Sequence, residues 1–205
     1  GSPSLSGSLL LPLASTATAG NIMKGGSRFL HNFGASNTFA GQDAGNFLMS
    51  GDNNAGFGRS ALIANTTGNF NTAAGSAALA NNTVGSSNTA LGVSALLNVT
   101  TGGQNIGIGH AAGVDLTTGS GNIAIGNNGV AAESQTIRIG SSQTRAFLAG
   151  IHSVVPAGTN PQPVVIDSSG QLGTVAPLVF SHGLANTFAG ELAGNKTMTG
   201  NNNAG

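Results

Sequence analysis

A 17-residue repeat is the strongest constraint on how this chain can fold. Asparagine followed four residues later by glycine recurs at a constant step of 17 residues. The asparagines of this series are Asn37, Asn54, Asn71, Asn88, Asn105 and Asn122. A glycine series with the same step contains Gly51, Gly68, Gly85, Gly102 and Gly119. A third column has only alanine or glycine, at Ala44, Ala61, Ala78, Ala95, Ala112 and Gly129. Three columns in register indicate identical units that stack on one another.

Each unit has the right length for one coil of a β-solenoid. Helix-pair repeats need more than about 30 residues, and abundant Gly, Asn and Thr disfavour helix. A strand before each turn glycine, a second short strand at residues 76–79 or 94–97, and two turns would complete a coil. We therefore predict an all-β fold, a parallel β-solenoid or β-roll with coils of about 17 residues stacked about 4.8 Å apart. The repeated asparagines would form ladders that satisfy their amides with one another.

Strand alternation assigns the side chains of each unit to two faces. Ile106 and Ile108 fall on one face, and Gly107 falls on the other. We predict that the large residues on the first of these faces form the structural core, buried in the roll or at its contacts. They are Phe57, Leu91, Ile106, Ile108, Ile123 and Ile125. The glycines that follow the strands are predicted to be turns in which a positive φ is needed. They are Gly41, Gly58, Gly75, Gly92, Gly109 and Gly126.

The composition predicts a thin core and a need for association. The chain has 34 Gly, 9 Phe, no Trp, Tyr or Cys, and only 6% charged residues. Each glycine costs roughly 0.5–1 kcal/mol in a regular element, so nearly complete backbone hydrogen bonding must offset that entropy. Six basic residues balance six acidic ones, which argues against a nucleic-acid partner. No apolar run approaches the length of a membrane span.

The titratable residues do not form a pattern typical of catalysis or metal binding. The histidines (His31, His110, His152 and His182) lack partners at metal-ligand spacing. The carboxylates (Asp43, Asp52, Asp115, Glu133, Asp167 and Glu191) are scattered, whereas catalysis by paired carboxylates needs two that converge on one pocket. We expect no enzyme activity, no catalytic residues, no cofactor and no metal.

Composition shifts divide the chain into four parts. Residues 1–36 form an N-terminal segment, in which Leu9, Leu10, Leu11 and Leu13 are candidates for an assembly strand. Residues 37–140 form the repeat block, and 141–184 form a β-rich connector with strands at 141–155, a proline linker and a hairpin at 164–174. A second block begins in 185–205 with the same NTFAG sequence at Asn186. Because that block stops inside a unit, we expect either a fragment or completion of the unit by a neighbouring molecule.

Two coils carry a resemblance to a known family. The sequences SGNIAIGNNG (120–129) and QNIGIGHAAG (104–113) resemble the head repeats of trimeric autotransporter adhesins, the YadA-like type. The resemblance covers roughly residues 37–140 and 186–205, and residues 133–173 are similar to junctions in bacterial tail-fibre-like proteins. It implies a left-handed parallel β-roll in which the apolar pair faces inward and three rolls form a trimer. Most coils of that family have about 14 residues rather than 17.

These observations favour a structural subunit of an extracellular bacterial fibre or adhesin, at the cell surface. Its partners would be copies of itself, in a homotrimer or a head-to-tail filament, together with a receptor that the sequence does not identify. The alternative is a ligand-binding solenoid, for carbohydrate or ice, without catalysis. Thr38, Thr72 and Thr89 share one column, which favours the alternative. The same column contains Ala55, Ile106 and Ile123, which interrupt a continuous threonine array.

Overall fold

The computed structural model describes residues 20–34 and 36–147, and four short strands farther along the chain. The strands of the first part are β1 (Ile22–Lys24), β2 (Ser27–His31), β3 (Thr38–Ala40), β4 (Ala55–Phe57), β5 (Thr72–Ala74), β6 (Thr89–Leu91), β7 (Ile106–Ile108), β8 (Ile123–Ile125) and β9 (Ile137–Ile139). The others are β10 (Val164–Ile166), β11 (Leu172–Thr174), β12 (Asn186–Thr187) and β13 (Asn203–Ala204). The described residues contain no helix. The chain divides into two compact units, Gly1–Ala146 and Phe147–Gly205.

The first unit confirms the predicted parallel β-solenoid. Strands β3 to β9 pair in parallel in sequence order, each with the strand of the next coil. Thr38 is opposite Ala55, and Thr89 is opposite Ile106, so the pairing keeps the 17-residue step. The last step is shorter, because Ile123 pairs with Ile137. One coil therefore contributes one strand to a single long sheet.

The opposite wall of each coil corrects the prediction of a second strand. Residues 76–79 and 94–97 form turns, in which Ala77 and Leu79 have left-handed φ angles of 57° and 50°. The Ala78 N–H donates to the Gly75 carbonyl at 3.2 Å within the coil, whereas the Leu79 N–H donates to Ala95 of the next coil at 3.0 Å. Consecutive tight turns thus replace the extended strand, and alternate amides join neighbouring coils.

The buried core consists of the central residues of the strands, all of which are small except Phe39, and the residues of the turn wall. The central strand residues are Phe39, Gly56, Ala73, Ala90, Gly107 and Ala124, all buried. The turn wall contributes fully buried side chains, including Ala61, Leu62, Ala78, Leu79, Ala95, Leu96 and Leu116. The interior is narrow: a Cβ added to Gly107 would lie 2.8 Å from Leu96 Cγ. A leucine therefore fits on the turn wall only at coils in which the facing strand residue is alanine or glycine.

This narrow interior shows that the predicted core residues are not buried inside the roll, whereas their burial at contacts of the roll stays a prediction. Among the predicted core residues, Phe57 is 45% exposed, Leu91 52%, Ile108 38% and Ile125 36%, and Ile106 and Ile123 are half-buried. Their side chains lie on the outer surface of the sheet. The predicted alternation of side chains between two faces was correct. The large residues occupy the outer face because only the small residues of the other face fit opposite the leucines of the turn wall.

The repeated asparagines link each coil to the next. Their Oδ1 atoms accept the backbone N–H of the asparagine one coil later, in five bonds of 2.7–3.0 Å. Their Nδ2 atoms donate at 2.9 Å to the glycine carbonyl 14 residues later. Amide-to-amide bonds occur at only some steps, such as Asn88 to Asn71 at 3.1 Å. The predicted ladder exists, but its partners are mainly backbone groups.

The parallel stack is terminated by different residues at its two ends. At the start, β1 and β2 form an antiparallel hairpin, and β2 pairs antiparallel with β3 through Leu30 and His31. At the other end, Arg138 occupies the central position of β9, and its Nε lies 2.8 Å from Glu133 Oε2. Charged and hairpin residues thus replace the small core residues where the repeat stops.

The second unit shows strand pairings consistent with two sequence expectations. Strands β10 and β11 pair antiparallel, which confirms the hairpin at 164–174. Strands β12 and β13 pair in parallel, with Thr187 opposite Ala204, the same register as Thr38 and Ala55. Residues 141–147 form no strand, so that part of the 141–155 prediction is wrong. The remainder of that prediction, and Leu9, Leu10, Leu11 and Leu13, lie outside the described residues.

The first prediction concerns the asparagine column. Asn88→Ala removes the acceptor of the Asn105 N–H and the donor to the Gly102 carbonyl, leaving two buried backbone groups without partners. Each such group costs about 1–3 kcal/mol, so chemical denaturation should show a clear loss of stability. The control is Asn81→Ala, because Asn81 is exposed and its side-chain amide donates to the exposed side chain–side chain bond with Asn98 Oδ1. Equal stability of the two variants would contradict the role of the column.

The second prediction concerns the stacked glycines. A Cβ on Gly85 would collide with the Gly102 carbonyl oxygen and with Asn82 Oδ1, so Gly85→Ala should destabilise by about 3 kcal/mol. Gly126→Ala is the comparison, because a Cβ there meets open space and only the φ of 57° opposes it. Its cost should be about 1 kcal/mol. Thermal melts that rank the two variants in the opposite order would show that the coils can separate at Gly85 at little cost.

Candidate functional surface

The outer side of the parallel sheet is the most distinctive surface of the solenoid. The first and third residues of strands β3 to β9 point outward, and together they define what we call the strand face. They are Thr38, Ala40, Ala55, Phe57, Thr72, Ala74, Thr89, Leu91, Ile106, Ile108, Ile123, Ile125, Ile137 and Ile139. None of them is charged. Since outward residues lie about 6.8 Å apart along a strand and about 4.8 Å apart between strands, they form two straight columns.

The strand face becomes more apolar along the chain. Its early coils mix threonine and alanine with Phe57, whereas β7, β8 and β9 present only isoleucine. Ile137 and Ile139 are 65% and 72% exposed. A contiguous exposed apolar surface on a water-soluble protein usually marks an interaction site. The large residues that were predicted to fill the core therefore form a surface suited to contact with another molecule.

The threonine column lies on the same face. Thr38, Thr72 and Thr89 are exposed, and each is the first residue of its strand. Ala55 separates the first two, and the column continues as isoleucine from β7 onward. The hydroxyl groups are thus restricted to the early coils, and no continuous threonine array crosses the described sheet.

The turn glycines lie directly after the strands. Gly41, Gly58, Gly75, Gly92 and Gly109 have φ angles of 118–148°, and that of Gly126 is 57°. Each of the first four faces the backbone of the corresponding glycine one coil later, at a distance too short for a Cβ. These glycines therefore serve both the backbone conformation and the close approach of neighbouring coils.

The described titratable residues are dispersed. Asp43, Asp52 and Glu133 are partly buried and Asp115 is exposed, at separate positions along the stack. No group of three or more His, Asp or Glu side chains is arranged to hold a metal ion in the described part. His110 is exposed, and His152, His182, Asp167 and Glu191 lie outside the described residues. No described helix is long and apolar enough to cross a membrane.

An aromatic cluster at the N-terminal hairpin was missed by the sequence analysis. The His31 ring lies 4.9 Å from the Phe39 ring and 4.7 Å from the Phe47 ring, and Phe33 packs edge-on against Phe47. The signal was present, because four of the nine phenylalanines fall within residues 29–47. Aromatic residues supply the buried area that small coil residues lack, so this cluster anchors the hairpin to the first coil.

His31 is held in its neutral form by its contacts. Its Nε2 lies 2.7 Å from the Ala44 carbonyl oxygen, and its Nδ1 accepts the Phe33 N–H at 3.3 Å. A neutral imidazole satisfies both bonds, with Nε2 as donor and Nδ1 as acceptor. Burial lowers the pKa of His31 below its ordinary value of 6.5, and the charge of Arg28 lowers it further, against the opposing effect of the Ala44 bond.

Comparisons with family models, curated proteins and solved structures found no significant match for this chain. The resemblance to YadA-like head repeats therefore stays a prediction from the sequence. The β-solenoid itself stands on the strand pairing of the structure.

The pH dependence of the hairpin gives a third prediction. The pKa of His31 is lower in the folded protein than in the unfolded chain, so the unfolded chain binds more protons as the pH falls below 6.5. The contribution of His31 to stability is therefore complete above pH 6.5 and decreases as the pH falls towards the folded-state pKa. The hydrogen-exchange protection factors of the Leu30 and His31 amides, corrected for the intrinsic exchange rate at each pH, should fall on acidification before those of β5 or β6.

The matched variants are His31→Gln and His110→Gln. The first should remove the acid-dependent loss of protection, since glutamine does not titrate, and the second should retain it because His110 is exposed. An unchanged pH profile in His31→Gln would assign the effect to another group.

Proposed function

We propose that this chain is a non-enzymatic structural subunit of an extracellular bacterial fibre or adhesin. In this proposal, copies of the solenoid pack side by side through the strand face, in a trimer as the sequence resemblance implies. The observation that supports it is the uncharged apolar surface that continues over Leu91, Ile108, Ile125 and Ile139, all exposed in the single chain.

A second copy of the chain is well suited to this surface. Both copies have the same rise per coil, so contacts made at one coil can be repeated at each successive coil without loss of register. A parallel arrangement brings isoleucine-rich coils together and leaves the threonine-bearing coils together as well. Burial of apolar surface contributes about 25 cal/mol per Å², and the straight columns allow that gain to accumulate along the stack.

The alternative arrangement is a head-to-tail filament joined by added strands. The edge of β3 is already paired with β2 of the same chain, so the parallel ladder is closed there by the short antiparallel β1–β2 hairpin. Short irregular edge strands are a common protection against edge-to-edge pairing. Strand addition at the β3 edge is therefore disfavoured, and lateral packing through the strand face does not need that edge.

Ligand binding without catalysis is the second candidate function. The exposed hydroxyl groups of Thr38, Thr72 and Thr89 favour it, since they could bind sugar or ordered water. They lie in the early coils, where the strand face contains few large apolar residues. A lateral assembly through β7 to β9 would leave the threonine-bearing early coils exposed and able to bind such a ligand.

The fourth prediction tests the assembly. The untagged protein should sediment at micromolar concentration as an oligomer, and Ile108→Glu with Ile125→Glu should convert it into a folded monomer. Buried glutamate charges would be costly at the interface, whereas both positions are exposed in the monomer. Val84→Glu is the control, because Val84 is 47% exposed but does not belong to the strand face. A wild-type protein that remains a folded monomer would refute the proposal.

A further inference from the structure

A notch lies at the N-terminal hairpin, at the end of the solenoid away from the isoleucine-rich coils. It has a volume of about 360 Å³ and is lined by Lys24, Gly25, Ser27, Arg28, Phe29 and Gln42. Small-molecule sites typically occupy about 300–1,000 Å³, so the notch has room for a ligand of the size of one sugar. Its lining combines two cations, one aromatic ring and two neutral polar side chains.

The two cations distinguish this notch from the rest of the described solenoid. The coils of β4 to β8 contain one lysine or arginine, Arg59. In contrast, Lys24 lies in the three-residue strand β1 and Arg28 lies in the adjoining five-residue strand β2. The ion pair found in the described part joins Arg138 and Glu133, so neither cation of the notch is neutralised by a described carboxylate. No carboxylate in the described part therefore competes as an ion-pair partner with an anion at the notch.

Aromatic contacts position both cations. The Lys24 ammonium lies 5.7 Å from the Phe29 ring centre, and the Arg28 guanidinium lies 4.4 Å from the Phe47 ring centre. Stacking of this kind holds a cation in place without removing its charge. The Arg28 main chain is held by the Asp43 N–H, which donates to the Arg28 carbonyl at 3.3 Å. Phe29 itself lines the notch, whereas Phe47 lies outside the lining and holds the Arg28 guanidinium from beside it.

The remaining lining matches the other parts of a sugar. Phe29 is 44% exposed and offers an apolar surface to the C–H groups of a pyranose ring. The Gln42 amide donates to Ser27 Oγ at 3.4 Å, a long bond that hydroxyl groups of a ligand can replace. An inorganic anion would use only the cations, and a neutral sugar would use only Phe29, Ser27 and Gln42.

We propose that this notch binds an acidic monosaccharide, with its carboxylate on Lys24 and Arg28 and its ring against Phe29. The site lies on the hairpin and not on the strand face. It therefore does not depend on the proposed assembly, and it can be tested in the monomeric double-glutamate variant as well as in the wild type.

The test is a titration of ¹⁵N-labelled protein with glucuronate at pH 7.5, followed by NMR. We expect shifts of the Gly25, Ser27 and Arg28 amides with a dissociation constant in the millimolar range, and at least tenfold weaker binding of glucose. Lys24→Gln with Arg28→Gln should weaken glucuronate binding tenfold or more, since charge-assisted bonds are the stronger ones. The control Arg59→Gln removes an exposed arginine elsewhere and should leave the affinity unchanged.

Phe29→Leu separates a sugar site from an anion site. It should weaken glucuronate binding several-fold while leaving the weaker binding of inorganic sulfate unchanged. Sulfate that binds as tightly as glucuronate would overturn the sugar assignment, as would equal binding of glucose. Absence of any glucuronate-dependent shift, or an equal loss in Arg59→Gln, would overturn the site itself. Unchanged spectra of the β5 to β7 amides establish that each variant keeps the solenoid fold.

Discussion

The structure depends on the asparagine side chain that bridges each coil to the next. A coil of 17 residues has too little interior to hold itself together, and its corners break the regular strand ladder. At the corner before each strand, one carboxamide supplies both an acceptor and a donor, for the next N–H and for the following glycine carbonyl. Buried backbone groups without partners are costly, so the bridge allows a tight corner to be buried at every step.

The stacked glycines follow from that bridge. The Asn88 amide can reach the Gly102 carbonyl only if the backbones of successive coils approach closely at this corner. The position of Gly85 leaves no space for a Cβ below the Gly102 carbonyl. Asparagine and glycine are therefore two parts of one requirement, and their fixed spacing made the register of the solenoid predictable from the sequence.

Other parts of the molecule depended on distances that a sequence does not contain. Alternation separates Ile106 from Gly107, but deciding which of them is buried requires the width of the interior, which Leu96 and the turn wall set. Left-handed residues such as Ala77 and Leu79 are rare without glycine, and contacts between coils stabilise them here. The hairpin and its notch lie outside the repeat, so the periodicity of the sequence did not predict the positions of Lys24 or Arg28.

The stack of coils also has a mechanical consequence. Each coil is bonded to its two neighbours, so tension applied to the chain ends would detach coils one at a time from an end. Releasing 17 residues gives about 58 Å of extended chain and removes about 4.8 Å of stack, a net gain of roughly 50 Å. Under load, such a stack would lengthen in equal steps and dissipate energy at each one.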